Sequence, residues 1–481
     1  MAGTILAVGI IASICWWIWS SIARHRLQVQ IDAITALHQP FWETDFKTAK
    51  IPDEQNAAVL WRAGFAALPA TDTCPSGSNF WFNDFPPYSA QWNQMEDQSI
   101  ADNKKMFELA HRAAAVTEAD WGPNAHPTIR ALVDIAPVRR VTLILSDAVV
   151  HAHVHGNDSL AIDRTVDLFQ FSRAVEKEGG VWPRLVSIGI GADCFDRLLS
   201  ITPDLIIAGD RTNPLASGQT GVPREKVEAF IRMLMDERDE NRLRFEAIDR
   251  ERMEEHELLQ HEKQSRWALG PMADLSDARL MAQRRVDRLA AAAPSWTAAN
   301  GVYQSNPTLL MGLESTNFSR FAVGQQLPPQ WAGAYEDFAN RLFLYLITDW
   351  RGTSARRTAA IALAIRLYRE DHQQVWPASL AELVPGYLPS IPNDPFAPAP
   401  TQIGYIIRKH ATPAGQDRPM LYFGSIGDPK STSLPPNPTW SWAPSNAQWR
   451  DLSRWYPTAA SISGSATSSP TTESSPKTAD H

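Results

Sequence analysis

Three histidines on alternate positions, in the stretch VHAHVHG from Val150 to Gly156, are the first residues in this chain that suggest chemistry. Imidazoles that converge can hold a zinc ion, and on an extended strand all three would share one face. A helix separates them: at about 3.6 residues per turn His151 and His155 share a face while His153 points nearly the opposite way. The surrounding residues decide for the helix. Val138, Val141, Leu145, Ala148, Ala152 and His155 recur at alternating steps of three and four, which predicts a helix over 138–154 that Gly156 and Asn157 stop. Two readings of that helix stay open. Asp147, His151 and His155 form a row four residues apart that offers one carboxylate and two imidazoles to a metal, needing further ligands from another element. Alternatively Asp147 and His151 form a surface pair and His155 closes the helix at its negative end.

Other chemistry-like stretches resolve into structure. HELLQHE, His256 to Glu262, has the look of a zinc-protease helix, but its histidines are five apart and diverge by about 140°, whereas such sites need them four apart. Its context, from Pro223 to Glu262, is one or two long helices of mixed charge, which predicts a solvated face. GIGAD at Gly189 to Asp193 lies inside a predicted helix with no strand before it, so small residues for close helix contact explain it better than a nucleotide loop. Cys194 on the same helix reads as a core thiol.

The elements that must position these residues are mostly helices. After the 138–154 helix, Leu160, Ile162, Val166 and Phe169 stripe a second one that Gly179-Gly180 stop, and a third begins near Pro183. Tight turns between them imply antiparallel hairpins similar to tetratricopeptide pairs, without a second copy at a fixed period. A helix is expected just after Pro52, an ordered aromatic loop over 69–97, and further helices at 276–293 and 332–350. The stretch NPTLLMGLESTNFSRFAVG fits either a buried helix or an irregular crossing.

The 481 residues, 44% hydrophobic and 20% charged, have the composition of a folded protein. A net charge of −8 with no long basic cluster excludes general affinity for phosphate backbones, so no nucleic-acid partner is expected. Three cysteines make no disulfide framework. Thr4 to Ile22, TILAVGIIASICWWIWSSI, carries no charge and approaches the ~20 residues that span a hydrocarbon layer. Tryptophans 16, 17 and 19 and then Arg24, His25 and Arg26 mark its interface end. With no Lys or Arg before the run and no small-x-small site closing it, the segment reads as a retained anchor rather than a cleaved signal. Arg24 and Arg26 favour a cytoplasmic body, a vote of only two residues that leaves the side open. Leu27, Ile31, Ile34 and Leu37 continue the helical spacing toward Pro40, so the span should leave the membrane as a short stalk.

From Thr358 the text changes to a long helix ending at Trp376-Pro377, a short helix over 379–384, a proline-rich extended path, and strands at 403–408 and 420–425. In order, LYREDHQQVWPASLAELV, YLPSIPNDPF and GSIGDPK resemble the C-terminal part of type II secretion major pseudopilins. The resemblance implies their fold for this module and a secretion-associated role at the envelope. The chain departs from that family where the glutamate of its N-terminal processing motif would stand, since residues 1–22 hold none, and where calcium ligands would follow Asp428, since PKSTSLPPNP supplies no acid. The layout is also similar to a broad set of single-pass membrane-anchored bacterial proteins, a likeness that brings no activity.

The expected architecture is mainly α: a transmembrane anchor at 1–26, a tetratricopeptide-like body of helical hairpins at 27–350, a small pseudopilin-like α+β module at 351–456, and a disordered Ser/Thr/Pro-rich tail at 457–481. The expected function is a non-catalytic interaction scaffold on the membrane with a protein partner and no cofactor. The alternatives are a metal-dependent hydrolase built on Asp147, His151 and His155, and a secretion-associated component.

Overall fold

The computed structural model describes residues 2–46, 51–71, 74–77, 88–122, 127–209, 218–265, 270–306, 329–408, 418–423 and 448–451. These comprise twelve α-helices and one three-stranded sheet. The first, α1 (Ala2–Ala36), is long and apolar enough to cross a membrane. Its large apolar side chains are exposed as far as Ile22, whereas Ala23, Leu27 and Ile34 are buried. The helix therefore changes surroundings near Ala23, and its second part is a piece of the body. It stops at Ala36, short of Pro40, with His38 in the left-handed region at φ 55°.

Helix α2 (Ala57–Ala66) starts slightly later than the acidic residues after Pro52 suggest. Asp53–Gln55 form a 3-10 turn, and the Asn56 side chain caps the helix by accepting the Ala58 N–H at 3.0 Å. Helix α3 (Ala90–Asp102) opens inside the stretch expected to be loop, because Ser89 caps it by accepting the Trp92 N–H at 3.1 Å. Residues 78–87 of that aromatic loop lie outside the described ones. Helix α4 (Lys104–Ala114) follows and packs on α2.

The expected hairpins are present as α5 (Pro127–Val154), α6 (Asp158–Glu176) and α7 (Val181–Ile201). Antiparallel pairing of α6 and α7 brings Ser172 Oγ to Ser187 O at 2.9 Å and Cys194 Sγ to Thr165 O at 3.5 Å. Gly156 makes the first turn possible twice over: its φ is +74°, and a Cβ there would lie 2.9 Å from Gln219 Cγ. Gly191, in the GIGAD stretch, would place a Cβ 3.4 Å from a Phe195 ring carbon and 3.6 Å from Ser172 Oγ, in keeping with close helix contact.

The charged region after Pro223 forms two helices, α8 (Arg224–Leu234) and α9 (Glu240–Ser265). Its expected solvated face is a correction. Arg244, Asp249, Arg252, Glu255 and His256 of α9 are all buried, because α10 (Gly270–Ala291) lays complementary charges against Asp249, Glu255 and His256 while Arg244 meets Asp349 and Arg252 meets Gln39 and Pro40. Arg284 donates to Glu255 Oε2 at 3.0 Å and to Asp287 at 2.7 Å, Arg288 pairs with Asp249, and Lys263 reaches Asp274 at 2.7 Å. Helix α11 (Trp296–Gln304) folds back along α10, where Tyr303 donates to Asp287 at 3.0 Å.

Helix α12 (Pro329–Asp371) replaces the two helices expected at 332–350 and from Thr358, so the domain boundary placed at 350/351 falls inside one element. WRGTSARRT between them holds no proline, and a single mid-helix glycine costs only about 1 kcal/mol. Gly352 has a packing reason as well, since a Cβ there would stand 3.1 Å from Ile188 Cγ2 of α7. Gly352→Val should therefore overpack the α7–α12 contact and cost about 1–3 kcal/mol, read as a lower denaturant midpoint at unchanged m. Ala359 to Ile365 of α12 are buried in the main core with α5, α6, α7 and α8. A second core joins Val286, Trp296, Tyr303, Tyr345 and Trp350 across α10, α11 and α12.

The strands β1 (Gly404–Arg408) and β2 (Arg418–Phe423) pair antiparallel near the expected positions, with Ile406 opposite Met420. A third, β3 (Gln448–Asp451), was not expected and extends the sheet beside β2. Asp428, the stretch 307–324 and the tail from Pro457 lie outside the described residues.

Candidate functional site

The imidazole trio sits where α5 ends. His151 and His153 lie on the helix and His155 immediately follows it, so His153 splays away from the other two as helical geometry requires. His153 Nδ1 is 2.6 Å from Asp158 Oδ1, at the start of α6. Asp158 is buried and its other oxygen accepts the Ile206 N–H, so this acid ties together α5, α6 and the segment after α7.

His151 and His155 stack with ring centroids 4.0 Å apart. His155 Nδ1 donates to His151 O at 2.8 Å, closing the helix end as one reading expected. The partner of His151 differs from either expectation. Its Nε2 lies 3.0 Å from Asp97 on α3, while burial, and next the neighbouring His155, push its pKa below the usual imidazole value. Asp147 is no surface residue: it is buried and accepts the Ser76 N–H at 2.9 Å and the Ser76 hydroxyl at 2.6 Å, with Arg197 at 3.8 Å. The row of three is therefore split, one acid bound to Ser76 and two stacked rings of which His151 faces Asp97 of α3.

Beside Asp147 stands a group that spacing alone does not reveal. Glu96 of α3 is fully buried, and neither carboxylate oxygen has a hydrogen-bond partner among the described residues. Burial, then the charges of Asp147 and Asp97, push its pKa up to about 10, with Ser99 one turn on pulling weakly the other way. With its carboxyl pushed that high, Glu96 carries its proton at pH 7. Its sequence signal was faint: in AQWNQMEDQSIAD the buried Trp92, Glu96 and Ser99 fall at steps of four and three on one face.

A metal at Asp147, His151 and His155 requires more than this arrangement offers. Among the described residues no three His, Cys, Asp or Glu side chains are grouped as a metal site would need. Asp147 would also have to surrender its bonds to Ser76. Zinc titration by calorimetry should accordingly show no micromolar binding that Ile or Ala at position 151 abolishes; His151-dependent binding in that range would establish the metal reading.

The densest electrostatic feature lies elsewhere, where α7, α9 and α12 meet. Asp349 accepts Arg184 Nε at 2.9 Å and Nη2 at 2.6 Å through one oxygen, and Arg244 Nε at 2.6 Å through the other. Arg184 also pairs with Glu176 and Glu240, and Arg356 with Glu240. Three guanidiniums thus face three carboxylates out of water, and the Arg244 guanidinium caps the Trp350 ring at 4.2 Å. Residues 349 and 356 stand two helical turns apart, so the unbroken α12 is what presents both to the cluster. Its internal matching makes it a structural staple rather than a binding site. Cys194 has the same inert character, since burial pushes its thiol far above the usual range.

No family model, curated protein or solved structure matches this chain.

Proposed function

We propose that this chain is a single-pass, membrane-tethered helical scaffold that binds another protein and performs no chemistry of its own. The observation that carries the reading is the continuity of α1, whose apolar part leads without a break into residues packed on α10. The next segment is clamped as well: Arg252, fully buried on α9, donates to Gln39 Oε1 at 3.0 Å and to Pro40 O at 2.6 Å. Because the apolar part and the docked part belong to one unbroken helix, a retained span would give the body a fixed bearing on the membrane. The tetratricopeptide-like α5–α6–α7 hairpins supply the kind of surface on which a protein partner binds. Alkaline carbonate should leave the full chain in the membrane pellet, and deletion of residues 2–22 should release a folded body. Mass spectrometry of a mature chain lacking residues 1–22 would end the anchor reading, and detergent captures that repeatedly return no partner would end the scaffold reading.

A second reading, a secretion-associated role, is favoured by the order of pieces after α12: the short 3-10 helix Leu380–Leu383 and then the antiparallel β1–β2 pair, the order its pseudopilin resemblance implies. Labelling in intact cells tests it. Cys74 is buried and unsuited to the purpose, so the probe is Glu225→Cys on the exposed start of α8. A cytoplasmic body rules this role out.

A further inference from the structure

The pairing of α1 with α10 fixes which end of the body faces the bilayer. Arg285 Nη1 lies 3.3 Å from Gln30 Oε1. Eight residues earlier, Asp277 binds His256, whose ring packs against Phe41 at 5.1 Å. As α10 advances from 277 to 285, its neighbours on the N-terminal segment thus fall from 41 to 30, and α10 runs back toward the membrane-exit end of α1. At about 1.5 Å per residue, Leu289 stands level with Arg26 and the turn at 292–295 level with Ala23, at the edge of the uncharged span.

That turn has an unusual surface for a solvent-facing tip. From Leu289 through Asn300 the chain carries no charge, and Leu289 is 61% exposed while Ala292 and Pro294 are exposed beside it. A second uncharged segment, Pro395 to Ile407, packs on it: Pro395 O accepts the Trp296 N–H at 2.7 Å, and Thr297 donates to Phe396 O. Pro398, Ala399 and Pro400 there are exposed as well. The charges of α9 that begin at this end are spoken for, Glu240 and Arg244 turning inward and Arg242 pairing with Asp239 and Glu246. On the solvent side of α1, Arg24, His25 and Arg26 are exposed at headgroup level.

We propose that the α10–α11 turn, with Leu289 foremost, seats in the interfacial layer of the same bilayer that α1 crosses, so that the body rests on the membrane through a second, monotopic contact. The proposal rests on the reading of α1 as a span. Two attachments at different points of one rigid body prevent it from pivoting on its stalk, and whatever partner it takes is then met at a set height and orientation.

The test places an environment-sensitive NBD label on Leu289→Cys, and separately on Gln264→Cys at the far end of α9, in the full chain with Cys15→Ala. The two remaining cysteines are buried. After reconstitution into vesicles of phosphatidylcholine and phosphatidylglycerol, the label at 289 should shift its emission to the blue. Lipid spin-labelled near the headgroup should also quench it, and the label at 264 should show neither effect. Protein that floats with the vesicles while both labels behave as in water overturns the proposal alone. A chain that fails to float overturns the span reading and this one with it. Blue-shifted emission at 289 that spin-labelled lipid leaves unquenched, with crosslinking between two copies, assigns the tip to a protein contact and likewise overturns it.

Discussion

Asp349→Ala should be among the most damaging single substitutions in the chain, costing about 3–5 kcal/mol, because it leaves the Arg184 and Arg244 guanidiniums in the interior without the carboxylate that both share. Denaturant unfolding in detergent would register it as a large fall in midpoint. A second variant separates loss of the pair from loss of packing. Arg244→Met removes one of the stranded charges while keeping contact with Trp350, so the double variant should lose less than the sum of the singles. A pH signature follows too. The arginines hold Asp349 and Glu240 below the ordinary carboxylate range despite burial, which acts in the other direction and is the largest single influence on each. Groups with depressed folded-state values contribute stability that is present above their unfolded pKa of about 4 and is lost as pH falls below it. Wild-type protein should destabilise steeply on acidification below that point, and Asp349→Ala more shallowly.

Glu96→Gln should have the opposite sign. The Glu96 carboxyl is raised from 4.5 to about 10, so both folded and unfolded states carry its proton below pH 4.5 and only the unfolded state releases it above. Between those values each pH unit costs the native state about 1.4 kcal/mol. Glutamine keeps the shape and carries no ionisable proton, and should therefore raise stability by a few kcal/mol at pH 8 and by almost nothing at pH 4. Thermal melts of the two proteins at both pH values decide it. A gain of equal size at the two pH values, or a loss at pH 8, would show that Glu96 is charged in the folded protein. In some proteins such costly buried groups are retained for conformational specificity.

The hairpins were legible because their signals are local. The stripe from Val138 to Ala152, the stop at Gly156, and the paired glycines at 179 and 180 each act within a turn or two of themselves. The strands near 404 and 420 declared themselves through β-branched and aromatic content in the same way. Helix α9 misled for the converse reason. Arg244, Ile248, Arg252 and His256 follow at steps of four, and a face with three polar members out of four reads as solvated unless its partners are known. Those partners, Asp349 and Asp277, are 105 and 21 residues away. The same blindness hid the partner of His151, which is Asp97 on another helix, and the inward turn of Asp147 toward Ser76.

By itself the order of residues determined that the chain is mainly helical, that a span-length apolar helix opens it, and that His153 diverges from His151 and His155. Each of these depends on interactions between residues a few positions apart. Only the tertiary structure decided which charges leave water, that α12 is one helix, and that α10 lies along the second part of α1. A buried charge is tolerated only where distant helices bring its counter-charge within reach, and no local periodicity records that meeting.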